Sequence, residues 1–228
     1  LENRELDELI LNIDKPPNMS SYDVVRVVKR LLPGVKAGHA GTLDPFAEGV
    51  LLILLGKATK RMSELLGLRK RYEAILQLGC ATTTGDPTGN PTESAPVPQL
   101  TTDQLEHVTR CFKGEISQVP PSFSAKKVAG KPAYRLARRG QPVNLAPVKV
   151  SIYELELIVL DDCRVKLAVE CSSGTYIRRL GEDIAKALGT CGHLTSLRRT
   201  AIGDYRVDNS VTLEQLPAFL TSLSGVAS

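Results

Sequence analysis

V-K-V-S-I-Y-E-L-E-L-I-V-L (Val148 to Leu160), a turn at Asp161-Asp162, and R-V-K-L-A-V-E-C (Arg164 to Cys171) decide the fold class. Two strand-like runs joined by so short a turn predict an antiparallel hairpin, because parallel neighbours need a crossover of about a dozen residues or more. Outward from this pair, Arg71 to Leu78 alternates like a half-buried strand, and Val50 to Leu55 reads as a buried one. Leu9 to Ile13 and Thr200 to Val207 are shorter strand candidates.

Helical periodicity separates them. Ser20 or Ser21 caps a helix carrying Val24, Val25, Val28, Leu31 and Leu32, which Pro33-Gly34 stops. Lys57 to Leu66 is helical in pattern, and Thr102-Asp103 opens a helix with Leu105, Val108 and Phe112. Ala133 to Arg139 is a short helix ending at Gly140. Thr175 to Leu188 is amphipathic, with Ile177, Leu180, Ile184 and Leu188 inward, and Gly189 stops it. Thr212-x-x-Gln215 is a capping box before Leu213, Leu216, Phe219 and Leu220. Leu1 to Ile10 is acidic and weakly helical, and Ala81 to Pro91 is loop. No regular β-α-β alternation appears. The expected class is α+β, a mixed, largely antiparallel sheet flanked by helices, in a single domain over residues 1–228.

The chain has 228 residues, 42% hydrophobic and 24% charged, which suits a folded protein. No apolar run approaches the roughly 20 residues of a membrane span, and no secretory leader pattern is present. Cytoplasmic location is the expectation. The five cysteines include no C-x-x-C pair, so they read as reduced, small hydrophobes rather than a disulfide frame or zinc site. Net charge is +4, but Ile116 to Tyr153 holds seven basic residues and no acidic one. These are Lys126, Lys127, Lys131, Arg135, Arg138, Arg139 and Lys149. A one-sign block inside a balanced chain suggests a polyanion-facing surface, and a solvated loop is the alternative.

The most unusual loop is Gly38-His39-Ala40-Gly41-Thr42-Leu43-Asp44-Pro45. It lacks the G-x-x-x-x-G-K-[ST] and G-x-G-x-x-G patterns of nucleotide binding. Neither G-x-S-x-G nor H-E-x-x-H occurs in the chain. ATP, NAD, zinc hydrolysis and common serine hydrolysis therefore lack support, and side chains alone must carry any chemistry. Asp44 fits either a nucleophile or general base, or an ordinary Asp-Pro turn.

With Glu48-Gly49-Val50-Leu51 behind it, this loop resembles the signature of the TruB family, the bacterial tRNA pseudouridine-55 synthases. Lys15-Pro16-x-x-x-Ser20-Ser21 is similar to that family's first motif, with Asn18 in place of the usual glycine. Lys70-Arg71-Tyr72, Gly174-Thr175-Tyr176-Ile177-Arg178 and Leu197-Arg198-Arg199-Thr200 resemble three further motifs, in the family's order.

The resemblance implies the pseudouridine synthase fold and a cofactor-free, metal-free tRNA isomerase acting on the T-arm; a monomer is expected, since the sequence shows no obvious dimer seam. It implies Asp44, Tyr72 and Arg178 as catalytic: an acid acting on the sugar, an aromatic ring stacked on the flipped uracil, and a partner charge for the acid. It implies His39 filling the gap left by the flipped nucleotide, with Tyr176 and Leu197 lining the pocket. Lys15, Lys60, Asp86 and Lys127 are carried over as further substrate contacts. Thr83 stands where the family often has Asp. Lys126 replaces the Leu of the family's S-A-L-K stretch, leaving Lys127 in the lysine position. Residues 116–150 correspond to a basic insertion that grips RNA through phosphates. The small C-terminal PUA domain of many relatives is expected to be absent. The alternatives are a tRNA-folding chaperone without catalysis and a guide-dependent pseudouridylase.

Overall fold

A computed structural model describes residues 8–124, 126–128, 130–137 and 139–225. The acidic start of the chain, through residue 7, lies outside the described residues. The chain divides into two compact units, Leu1–Arg71 with Arg198–Ser228, and Tyr72–Leu197. The expected basic insertion falls within the second.

The first unit is built on an uninterrupted apolar run. In chain order it contains β1 (Ile10–Lys15), α1 (Ser21–Leu31), β2 (Ala37–Ala40), β3 (Glu48–Leu55), a 3-10 helix (Gly56–Arg61) and α2 (Met62–Gly67). β3 reads E-G-V-L-L-I-L-L because both of its faces are covered. Leu51, Ile53 and Leu55 pack with Val24, Val25 and Val28 of α1. Val50, Leu52 and Leu54 pack on the other face with Ala40, Ala58, Leu65 and Ile202. Each such side chain contributes roughly 1.5–3 kcal/mol when fully buried. β1 runs antiparallel to β3, from Ile10 opposite Leu54 to Lys15 opposite Gly49. β2 lies antiparallel on β3, with His39 opposite Ile53.

Capping sets where α1 begins. The Ser20 hydroxyl accepts from the Asp23 amide, and the Asp23 carboxylate accepts from the Ser20 amide. Ser20 is thus the cap, and Ser21 is left for another task. Asn18 occupies the left-handed region, φ 63°, which explains how it stands in for glycine.

In the second unit are β4 (Lys70–Leu78), which begins two residues earlier at the edge of the first, the short pair β5 (Cys80–Thr82) and β6 (Pro91–Ser94), α3 (Thr102–Phe112) and β7 (Gly114–Gln118). Then follow β8 (Lys127–Val128), β9 (Lys131–Pro132), α4 (Ala133–Ala137), β10 (Val148–Asp161), β11 (Arg164–Cys171) and α5 (Ile177–Ala187). β12 (Gly192–Ile202) begins here and ends in the first unit. The unit's strand order is β12-β4-β11-β10-β7. The 148–171 hairpin forms as expected, antiparallel from Ile152 opposite Cys171 to Asp161 opposite Arg164. β7 adds to its other side, Val148 opposite Gln118. In α5, Ile177, Leu180 and Ile184 are buried. Gly181 is where this helix meets the sheet: a Cβ there would come within 2.8 Å of Leu194 and 3.5 Å of Leu76.

The chain then returns to the first unit with β13 (Tyr205–Arg206), β14 (Val211–Thr212) and α6 (Leu216–Gly225). Strand order there is β14-β1-β3-β12. The Thr212–Gln215 capping-box bonds are both present ahead of α6. β12 lies parallel to β3, with Arg199 opposite Gly49. Gly49 is required at this crossing: its φ is +103°, and a Cβ would approach the Arg199 carbonyl oxygen to 2.2 Å. Among the described residues no helix is long and apolar enough to cross a membrane.

Candidate active site

The loop carrying Asp44 hangs between β2 and β3, and three side chains of the first unit hold it. Ser21 exchanges two bonds with Leu43, accepting from its amide at 2.9 Å and donating to its carbonyl at 3.1 Å. Lys15 donates its Nζ to the carbonyls of Pro16 (2.8 Å), Met19 (2.7 Å) and, more weakly, Pro45 (3.3 Å). Arg199 donates to the carbonyls of Val50 (2.7 Å) and Gly41 (3.0 Å), with a long contact to Thr42 (3.5 Å). Within the loop, the Ala47 amide closes a turn on the Asp44 carbonyl at 3.1 Å. Gly41 turns the chain at φ +85°. Asp44 itself is half-buried.

Lys15 corrects an expectation. Carried over as an RNA contact, it has no exposed surface, and its three donors are spent on backbone. It is a tie between the first motif and the Asp44 loop. Burial, reinforced by the Arg199 charge, lowers its pKa from 10.5 to about 8, while Asp44, Glu48 and Asp23 pull the other way. Between about pH 8 and 10.5 the unfolded chain therefore binds the proton that the folded chain has lost. Lys15's unfavourable contribution shrinks as pH rises through that window. The unfolding free energy of the parent, minus that of Lys15→Met, is expected to rise by about 2 kcal/mol between pH 7.5 and 9.5 in urea titrations. A pH-independent difference would contradict this account of Lys15.

His39 lies on β2, half-buried, with its Nδ1 buried and lacking a hydrogen-bond partner among the described residues. Burial, and then the Arg199 charge, hold its imidazole below the usual range. The ring is therefore neutral at pH 7. Lys60 sits exposed on the 3-10 helix. Arg198 turns away from Arg199 and pairs with Asp14 (2.8 Å) and Glu48 (2.9 Å).

In the second unit, Tyr72 lies on the buried side of β4, 9% exposed. Arg178, in the first turn of α5, is buried despite its charge. Its guanidinium donates to the carbonyls of Thr84 (2.6 Å) and Phe123 (2.9 Å), and lies 3.4 Å from the Asp86 carboxylate. Asp86 also accepts from the Thr84 hydroxyl (2.6 Å) and from the Thr88 amide (2.9 Å) and hydroxyl (2.5 Å). Carried over as a substrate contact, Asp86 is instead 5% exposed and its oxygens are engaged. It organises the Thr82–Thr88 loop around Arg178. Tyr176 is half-buried, and Gln118 grips its backbone: the amide donates to Oε1 (3.1 Å) and Nε2 donates to the carbonyl (3.3 Å). Leu197 is buried on β12. Lys127 falls on β8, and its side chain lies outside the described residues. Of the basic segment, Lys131, Arg135 and Arg139 are exposed, while Lys149 pairs with Glu115 at 2.8 Å.

Sequence reasoning gave no role to Arg199 or Gln118, and none to Ser21 beyond helix capping. The signal for Ser21 was the doubled serine: one caps α1, the other ties the loop. Gln118 carried no signal, because β7 was not recognised as a strand.

The N-terminal domain of the TruB family of pseudouridylate synthases matches residues 29–177. The C-terminal domain of tRNA pseudouridylate synthase B matches residues 178–224. A tRNA pseudouridine synthase B of Caldanaerobacter subterraneus subsp. tengcongensis is 47% identical over 208 residues, 91% of this chain and 73% of the relative. That of Hydrogenovibrio crunogenus is 47% identical over 213 residues, 93% of this chain and 70% of the relative. Among solved structures, one described as "Crystal Structure of a Cbf5-Nop10-Gar1 Complex" superposes with a TM-score of 0.75 at 29% identity. That match covers 97% of this chain and 57% of the other. The motifs, the α+β sheet and a match running from residue 29 to residue 224 agree: the chain belongs to the TruB family of pseudouridylate synthases.

Proposed function

We propose that the tRNA uridine which this isomerase converts to pseudouridine lies in the T-loop, at position 55, and that Asp44 acts on its sugar. The observation carrying this is the Asp44 loop: a half-buried carboxylate on a short turn whose flanks are tied down by Ser21, Lys15 and Arg199. A carboxylate held this way is prepaid in orientation, which is what a reaction without cofactor requires.

The isomerisation breaks the N1–C1′ bond, turns the uracil over and forms a C5–C1′ bond. Atoms balance without oxidant or nucleotide: C5 loses its proton and N1 gains one. Asp44 serves either by attacking C1′ or by removing the 2′ proton. Both routes need an ionised acid, and Lys15 and Arg199 place positive charge behind its loop. Tyr72 stacks on the extruded uracil. Arg178 supplies the partner charge that the family motif implies, oriented by its bonds to the Thr84 and Phe123 carbonyls and its ion pair with Asp86. His39, Tyr176 and Leu197 offset the cost of unstacking, a few kcal/mol. The exposed cations of residues 116–150 and Lys60 meet T-arm phosphates and supply salt-dependent affinity. The chain is proposed to act as a monomer, in the cytoplasm.

Carbodiimide treatment followed by primer extension locates pseudouridine in an unmodified tRNA transcript. A single new stop at the T-loop uridine, produced by the protein alone, is expected. Stops at other uridines would overturn the site assignment. A stop that requires an added guide RNA and partner proteins would favour the guide-dependent alternative.

A further inference from the structure

We infer that Arg199 is a positioning residue for the reaction: its guanidinium, spread across the Gly41, Thr42 and Val50 carbonyls, fixes the loop that presents Asp44. The inference rests on Asp44's role proposed above.

The geometry is that of a clasp. Gly41 and Thr42 lie where the chain enters the loop, and Val50 lies where it leaves. Nη2 meets the first at 3.0 Å and Nε the last at 2.7 Å, so one rigid fork spans both ends. Asp44 sits on the chain between them. The arginine's own backbone has no slack, because its carbonyl abuts Gly49 at the β3–β12 crossing. Ser21 fixes the middle of the loop at Leu43, and Lys15 reaches Pro45 from the opposite flank.

The side chain is 1% exposed, so its charge is costly to keep. Removing it would leave the Gly41 and Val50 carbonyls without this donor, at a cost in stability, so stability and rate have to be read separately. What only an arginine supplies is a planar fork with donors in fixed directions. A lysine can reach more than one carbonyl, as Lys15 does, but from a single flexible point and without the fork's fixed directions. Arg198, one residue earlier, shows the contrast: its guanidinium pairs with carboxylates of Asp14 and Glu48 and holds no loop carbonyl.

The test is single-turnover pseudouridine formation with enzyme in excess over tRNA, for Arg199→Gln and Arg199→Lys, with tRNA retention on filters measured in parallel. Misplacement of about 1 Å costs roughly 100-fold, so the rate constant is expected to fall ~100-fold in Arg199→Gln and ~10-fold in Arg199→Lys. Binding should stay within about threefold of the parent, since the side chain is buried. A residue that only stabilises the fold would lower the melting temperature and the folded fraction. It would leave the rate constant at saturating enzyme unchanged, and that result overturns the inference.

If neither Arg199 variant yields folded protein, Gly41→Ala decides. Its Cβ fits at 3.6 Å from Nη1 and 3.9 Å from Leu66, but a non-glycine residue resists φ +85° and shifts the carbonyl off the fork. A rate about 10-fold lower with binding kept supports the clasp, and an unchanged rate overturns it. Asp44→Asn in the same assay separates the two levels. If it turns over like the parent, Asp44's role fails and the clasp with it. If it is inactive while the Arg199 variants match the parent, only the clasp fails.

Discussion

Asp44→Asn is expected to lower the single-turnover rate of pseudouridine formation at least ~10⁴-fold and to leave tRNA affinity within about threefold of the parent. The substitution is nearly isosteric. The turn that presents the side chain is held at its backbone: Ala47 N–H to the Asp44 carbonyl, the Ser21 hydroxyl to Leu43, the Lys15 ammonium to Pro45. None of these is lost, so the loop should keep its shape. What is lost is the carboxylate's ability to attack carbon or take a proton, and an amide does neither. The measurement is a rapid-quench time course with enzyme in excess, beside filter binding. Residual activity above about 1% of the parent would mean that another group performs the sugar chemistry.

Arg178→Met has the second-largest expected effect, on both stability and rate. It removes a buried cation that serves Thr84, Phe123 and Asp86 at once. Asp86 would keep its bonds from Thr84 and Thr88 but lose its counter-charge in a buried setting. Breaking one side of such a pair costs roughly 3–5 kcal/mol, or about 10 °C of melting temperature for a chain of this size. The rate should fall ~10³-fold, as when a preorganised charge is withdrawn from a reacting centre. Adding Asp86→Asn to Arg178→Met tests the cause. With both partners neutral, part of the lost melting temperature should return, because the orphaned charge is gone, while activity should not. No recovery would mean that the destabilisation comes from the backbone bonds to Thr84 and Phe123 rather than from Asp86.

The parts of the fold legible in the sequence are those where burial leaves a simple pattern. β3 reads as a strand because both faces are covered, so no polar residue interrupts Val50 to Leu55. The Val148–Cys171 hairpin and α5 read clearly because strand runs flank a short turn in one, and a single apolar stripe marks the other. Most of β12 was not legible. Arg198 and Arg199 resemble a solvated face, yet Arg199 is buried among carbonyls. β7 was hidden for a related reason: its exposed Gly114 and Glu115 look like loop, and its pairing partner lies about thirty residues away in β10.

The same physics limited the reading of the site. Asp44, Tyr72 and Arg178 came from family motifs, since a lone Asp-Pro, a strand tyrosine and a helix arginine are individually ordinary. Lys15 and Asp86 were carried over as substrate contacts from family motifs, and a motif does not say whether a charge is buried. In the folded chain the Lys15 donors are spent on backbone, and Asp86 is engaged with Thr84, Thr88 and Arg178. Arg199 was missed for that reason too.

The most direct test of the central claim is tritium release from tRNA labelled at uracil C5, because that bond must break whenever C5 joins C1′. The protein alone, without nucleotide, added metal, guide RNA or partner, is predicted to release close to one equivalent of T-loop tritium per tRNA. Intact tRNA binding with no tritium release would contradict the claim and would leave an RNA-binding chaperone as the reading of this chain.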